Sequence, residues 1–208
     1  MEGPTTIWLI RHGAPQGVEG RCYGRHDPPL SSEGVLQANA IAKRLASEPI
    51  HHVYSSPLVR ALDTARSIAE PHHLTVETLE TLCELHYGDL EGLRYEEIRQ
   101  RYPEIYTSWH ERPTETGFPN GEHFSEMRER VMGALALLRE RHRQQSIVVV
   151  AHSGVTRVVI GHALGVPDIH LFRIAQRYAA LNRIDYYRDG TSVELLNASA
   201  SEYGGQHG

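Results

Sequence analysis

The chain has 208 residues, 40% of them hydrophobic, and a formal net charge of −5 at pH 7. That length supports one large domain with a full core, and the acidic balance argues against sequence-independent nucleic-acid binding, which needs a basic surface. No basic stretch followed by an apolar one opens the chain, and the longest apolar stretch, Ile147 to Val166, is broken by His152, Arg157 and His162, too polar for a membrane span; a cytoplasmic protein without membrane or nucleic-acid partners is expected.

Thr6–Arg11 reads as a short strand whose apolar run ends abruptly in Arg11, His12 and Gly13. Ser31 to Ser47 reads as a helix, with Leu36, Ala40, Ile41 and Leu45 on one face, Ser31 or Ser32 as cap and Pro49 as a stop. His52–Ser56 is a second strand. Ser55–Ser56–Pro57 then reads as cap and first helical position of a helix through Ala69. Leu74–Thr78 is a third strand. Tyr95 to Ser108 suggests one or two short helices broken at Pro103, and Arg112 to Asn120 is loop. Phe124 to Arg143 is a long amphipathic helix with a charged outer face. SIVVVA at Ser146–Ala151 fits a strand buried on both faces. Gly154 to Leu164 is helical, and Arg183–Tyr187 with Val193–Leu196 forms a hairpin turning at Asp189–Gly190. The stretch from Ser199 is small, polar and glycine-rich and is expected to be disordered.

Strands alternating with helices give an α/β domain, a largely parallel sheet covered on both faces. Such sheets bind ligands outside the carboxyl ends of their strands. Two strands each deliver a histidine there: His12 after the first, His152 after SIVVVA.

Several chemistries fail on the residues. There is no G-x-x-x-x-G-K-[ST], and Gly17, Gly20 and Gly24 do not make G-x-G-x-x-G. Ser153 sits in A-H-S-G-V rather than G-x-S-x-G. Neither Cys22 nor Cys83 has the arginine six residues on that a cysteine phosphatase loop needs; Pro28 and Asp89 stand there. The two cysteines make no disulfide framework. The 14 histidines include the adjacent pairs His51–His52 and His72–His73, which point apart on any regular element, so no metal site is expected. What remains is histidine with arginine. Neutral imidazole is a competent nucleophile, and arginine's planar fork suits phosphate oxygens. A phosphoryl-accepting histidine is the chemistry that fits.

L-I-R-H-G at Leu9–Gly13 resembles the signature of the histidine phosphatase superfamily, also called phosphoglycerate-mutase-like. Pro29–Gly34 with Gln37–Ala38, Ser55–Ala65, Cys83–Gly92 and Val149–Gly154 resemble its further motifs, in the same order. The resemblance implies a three-layer α/β/α sandwich with a mostly parallel sheet over residues 1–198 and a small helical cap at about 87–120. It implies His12 as nucleophile and Arg11 and Arg60 as phosphate clamps. It implies His152 as a further donor and Glu84 as the acid that protonates the leaving oxygen and then activates water. Gly13, Tyr23, Gly24, Tyr87, Ser153 and Gly154 match positions around the substrate. No cofactor is implied, and dimers are common among relatives.

Some residues depart from the pattern. Relatives often carry an acidic residue after R-H-G and an asparagine further on; here Ala14 and Val18 stand there. Part of the usual polar phosphate contact is therefore expected to be either missing or rebuilt through Gln16, Arg21 or Arg25. The segment Tyr102–Pro113 is compact, without the arginine-bearing insertion of the mutases, so a phosphatase is favoured over a mutase. R-C-Y-G-R-H-D-P-P-L-S, F-P-N-G-E and A-A-L-N-R-I resemble the α-ribazole phosphatase branch; other branches act on sugar phosphates, phosphoserine or a broad range of monoesters. A non-catalytic phospho-ligand binder would be expected to lack His12 or Glu84, and both are present.

Overall fold

The structure, a computed structural model, describes residues 3–200. Its sheet has six strands: β1 (Thr5–Arg11), β2 (Ile50–Ser55), β3 (Val76–Thr78), β4 (Ser146–Ala151), β5 (Leu181–Tyr186) and β6 (Thr191–Ala198), in the order β3-β2-β4-β1-β5-β6. The first four run parallel, and the β5–β6 hairpin closes one edge antiparallel. Strands β1 and β4 lie at the centre, and alternation sends their side chains into two cores. Trp8, Ile10, Val148 and Val150 pack with Ile41, Leu45, Ala65 and Ile68 from α1 (Ser32–Leu45) and α2 (Val59–Ala69). Ile7, Leu9, Ile147 and Val149 pack on the other face with Val131, Leu135, Val155 and Val159 from α5 (Phe124–Arg141) and α6 (Ser153–Leu164). This is the three-layer sandwich the sequence suggested. No helix among the described residues is long and apolar enough to cross a membrane.

Two short helices, α3 (Tyr95–Arg101) and α4 (Pro103–Glu111), occupy the segment expected as a cap. An aromatic cluster ties it down: Tyr87, Trp109 and Phe118 lie with ring centroids 4.9–5.4 Å apart. Gly88, at φ 55°, lets the Pro119–Gly121 turn sit against it; a Cβ there would meet Pro119 O at 2.0 Å.

The register β1–β4 pairs Arg11 with Ala151, and His12 N–H donates to Ala151 O at 3.0 Å. His12 and His152 therefore leave the sheet side by side. The chain after β1 crosses to α1 on one face, and the chain after β4 crosses to α6 on the other, which opens a crevice between the two strand ends.

Several element boundaries differ from expectation, by a few residues each. Helix α2 starts at Val59, so Ser55–Ser56–Pro57 are not its cap and first turn. The Asp27 carboxylate, 32 residues upstream, caps it instead, accepting from Val59 N–H at 2.8 and 2.9 Å. Ser56 Oγ turns toward Cys83 Sγ. Helix α5 ends at Arg141, where His142 turns to donate its backbone N–H to Leu138 O. Ser199 and Ala200, the start of the expected disordered stretch, are half-buried, and Ala200 packs against the α1–α2 core; residues 201–208 lie outside the described residues.

The loop after β1 is held against α1 by contact too close for side chains. A Cβ on Gly13 would meet Gly34 O at 2.5 Å, and one on Gly34 would meet Ala14 O at 2.1 Å. Ala14 O cannot give way easily, because Ser31 holds it through both backbone N–H and Oγ. Glycine to alanine within a helix ordinarily stabilises by up to ~1 kcal/mol. Here the sign should reverse: Gly34→Ala is expected to lower unfolding free energy by about 2 kcal/mol in chemical denaturation. A stabilised variant would mean the loop yields freely.

Candidate active site

Arg11, His12, Tyr23, Arg60, Glu84, Tyr87, Ser153 and Gly154 line one cavity of about 330 Å³ at the carboxyl ends of β1 and β4. Cys22, Tyr95, Trp109, Arg157, Phe172 and Tyr178 complete it. A larger cavity of about 710 Å³ lies at the other end of the sheet, by Thr5 and Tyr186, and holds none of these groups.

His12 is buried, and its Nδ1 lies 2.7 Å from Gly13 O. A carbonyl only accepts, so Nδ1 carries the proton and Nε2 keeps its lone pair. Arg60 Nε donates to that Nε2 at 3.3 Å. Arg60 is wholly buried, donating also to Gly24 O at 2.6 Å and His26 O at 2.8 Å, with Asp27 Oδ1 3.5 Å away. Arg11 donates to Gln176 O at 2.6 Å and stacks over the Tyr178 ring at 4.0 Å.

His152 is fully buried, its ring 5.0 Å from that of His12. Neither of its ring nitrogens has a protein partner, nor does Arg11 Nε. Buried polar atoms are normally paired, so these three, close to His12, are donors or acceptors that a ligand oxygen can meet, although His152 itself does not line the cavity. Burial first, then the Arg60 and Arg11 cations, hold the His12 pKa well below its ordinary value. Burial, Arg60, His12 and Arg11 do the same to His152. Both rings are therefore neutral under conditions where a free histidine is half protonated.

Glu84 is buried and lines the same cavity as His12. Its Oε1 accepts from Leu85 N–H at 3.0 Å and its Oε2 from Gly154 N–H at 3.0 Å. A Cβ on Gly154 would lie 2.4 Å from Glu84 Oε1, so only glycine lets the carboxyl approach the start of α6. Two expected substrate contacts do not line the cavity. Gly13 and Gly24 instead offer carbonyls to His12 and Arg60, and a Cβ on Gly24 would strike Leu85 O at 2.1 Å.

None of Gln16, Arg21 and Arg25 lines the cavity. Arg21 is spent on Gly92 O at 2.7 Å, the Arg25 guanidinium lies 3.8 Å from Glu122, and Gln16 lines a separate cavity. The additional cation is Arg157 of α6, which donates to Ile174 O at 2.9 Å and to Ser153 Oγ, with Phe172 against its guanidinium. Tyr23 and Tyr178 join their hydroxyls at 2.5 Å across the rim. Sequence reasoning missed Asp27, Arg157, Gln176 and Tyr178, whose roles depend on contacts distant in the chain. Arg157 alone had a local signal, five residues after His152 on the cavity side of α6.

A neutral imidazole that keeps the Nε2 lone pair, flanked by guanidinium groups and sharing its cavity with a carboxyl, can accept a phosphoryl group. The comparisons agree with that chemistry. The histidine phosphatase superfamily (branch 1) matches residues 7–199. Phosphoserine phosphatase 1 of Hydrogenobacter thermophilus is 37% identical over 159 residues, covering 76% of this chain and 75% of its own. The adenosylcobalamin/α-ribazole phosphatase of Escherichia coli K12 is 31% identical over 200 residues, 93% of this chain and 96% of that one. The crystal structure of the α-ribazole phosphatase from Shigella flexneri superposes with a TM-score of 0.86 at 30% identity, covering 93% and 96% of the two chains. The chain belongs to the histidine phosphatase superfamily, and it is a phosphatase.

The lowered histidine pKa values are open to direct measurement. In ring-proton NMR, His12 and His152, assigned through single substitutions, should stay neutral as pH falls through ~6.5, where free histidine titrates. In that interval the unfolded chain binds protons that the folded one refuses. These two residues should therefore lower stability as pH drops below ~6.5. Titration of either ring at or above that value would contradict the geometry.

Proposed function

We propose that the chain is a phosphomonoesterase that works through a phosphohistidine on His12 and takes its electrostatic help from arginine rather than from a metal. His12 Nε2 attacks phosphorus in line while the bond to the ester oxygen breaks. Glu84 supplies a proton to that oxygen, because an alkoxide is a poor leaving group. Water then attacks the phosphorus, Glu84 takes its proton, and the P–N bond breaks to release phosphate. Arg11 and Arg60, with the unpartnered nitrogens of His152, stabilise the charge on the equatorial oxygens. The observation that carries this reading is the fixed tautomer of His12, with Nδ1 at 2.7 Å from Gly13 O and Nε2 turned to Arg60.

For the substrate, the aromatic walls favour a flat leaving group. Tyr23, Tyr87, Tyr95, Trp109, Phe172 and Tyr178 surround the cavity, which suits the base of a nucleoside monophosphate such as α-ribazole 5′-phosphate. The resemblance to the α-ribazole phosphatases supports the same substrate. A second reading rests on Arg157, which lines the cavity with no carboxylate partner within salt-bridge distance among the described residues. A second anionic group, as in phosphoserine or 3-phosphoglycerate, would pair with it. No arginine of the α3–α4 segment lines the cavity, so nothing specific favours a mutase.

Phosphate release in the presence of EDTA tests both parts. α-Ribazole 5′-phosphate, 3-phosphoglycerate, phosphoserine and 4-nitrophenyl phosphate are offered to the wild type and to His12→Ala. Release by the wild type on at least one of them and none by the variant is expected, with α-ribazole 5′-phosphate preferred. Preference for phosphoserine would move the substrate to the second reading. Equal release by both proteins would overturn the histidine mechanism.

A further inference from the structure

Glu84 sits on a stretch with little regular structure: a single 3-10 turn, Glu80–Leu82, precedes it. Helix α5 supplies what holds that stretch. Arg130 donates Nη1 to Thr81 O and to Cys83 O, both at 2.7 Å, and Nη2 to Glu84 O at 3.2 Å. Its remaining donors form a fork on Glu122, Nε to Oε1 at 2.6 Å and Nη2 to Oε2 at 2.8 Å. A guanidinium has five N–H groups, and every one is used. Glu122 in turn is fixed by its own backbone N–H, which donates to His86 O at 2.8 Å. One cation thus gathers carbonyls from residues 81, 83 and 84 and clamps the segment on the far side of Glu84 through Glu122.

Three carbonyl dipoles aimed at one point repel one another unless a cation sits there. The Arg130–Glu122 pair is largely shielded, at 17% and 12% side-chain exposure, so the charges are poorly screened by solvent. Lysine could not substitute, since its ammonium has three donors and no planar fork. The carboxyl of Glu84 is fixed separately, by Gly154 N–H from α6. Its backbone and its head are therefore held from two different helices.

We propose that Arg130 is a positioning residue for the proton donor Glu84, setting where that carboxyl stands relative to the leaving oxygen without touching substrate. This inference rests on the reading of Glu84 as the acid. A misplaced acid has a signature that general loosening of the fold lacks. It slows substrates whose leaving oxygen needs a proton and spares those whose leaving group departs unaided. Arg130→Lys, Arg130→Ala and Glu84→Gln are compared on 4-nitrophenyl phosphate and on the fastest alkyl monoester among α-ribazole 5′-phosphate, 3-phosphoglycerate and phosphoserine.

Both Arg130 variants are expected to lose about 100-fold in kcat/KM on the alkyl monoester and under ~10-fold on 4-nitrophenyl phosphate, as Glu84→Gln does. Adding Arg130→Lys to Glu84→Gln should cost little more, because the two act through one proton. If Arg130→Ala does not fold, Arg130→Lys carries the comparison, since it keeps the charge and removes only the fork. If Glu84→Gln separates the two substrates and the Arg130 variants do not, Arg130 is merely structural and the inference falls alone. If Glu84→Gln itself slows both equally, the reading of Glu84 falls and takes the inference with it.

Discussion

A buried guanidinium is tolerable only when its donors are matched, because an unpaired buried charge costs several kcal/mol. Arg60 is wholly buried, and its surroundings meet that condition. Two loop carbonyls, Gly24 O and His26 O, the Asp27 carboxylate and the Nε2 of His12 converge on it. Much of the site follows from this one requirement. The loop over residues 24–27 must fold inward to supply the carbonyls. Asp27, brought in by that loop, also caps α2, the helix that carries Arg60. Glu91 secures the same loop from outside, accepting from Arg25 N–H at 2.9 Å and His26 N–H at 2.7 Å. The cation then fixes the lone pair of His12 and, with burial, keeps that ring neutral.

The same economy of contacts governs the opposite wall. Glycine appears where backbone must come close, as at Gly154 beside Glu84 and at Gly13 against Gly34. Arginine appears where loose carbonyls need a common partner: Arg130 for the Glu84 stretch, Arg11 for Gln176. Gln176 is itself anchored by Asn182, whose side chain donates to Leu9 O at 2.9 Å on the neighbouring strand. The sheet therefore supplies the two histidines directly, and polar networks rooted in the sheet and helices bring everything else to them.

Much of this was legible in the chain itself. An apolar run broken by Arg-His, and another broken by His-Ser-Gly, announced β1 and β4 and placed the crevice, since strand period and burial are local signals. Arg60 and Glu84 were legible through motif order. The cap of α2 was not. Serine and proline beside it gave the stronger local signal, and a carboxylate 32 residues away takes the place, on a loop that Arg60 also contacts. Tyr178 was missed for a similar reason, as cavity walls assembled by tertiary contact leave no periodicity. Neither Arg21 nor Arg25 lines the cavity, because each finds a partner elsewhere, at Gly92 O and near Glu122.

The central claim is that His12 takes the phosphoryl group on Nε2, the nitrogen that carries no proton, and it can be observed rather than inferred from rates. The enzyme is mixed rapidly with an excess of 4-nitrophenyl phosphate, quenched in alkali, and examined by mass spectrometry and phosphorus NMR. The geometry, with Nδ1 tied to Gly13 O at 2.7 Å, predicts an acid-labile phosphate on Nε2 of His12. Phosphate on Nδ1, on another residue, or on none during turnover would contradict the account.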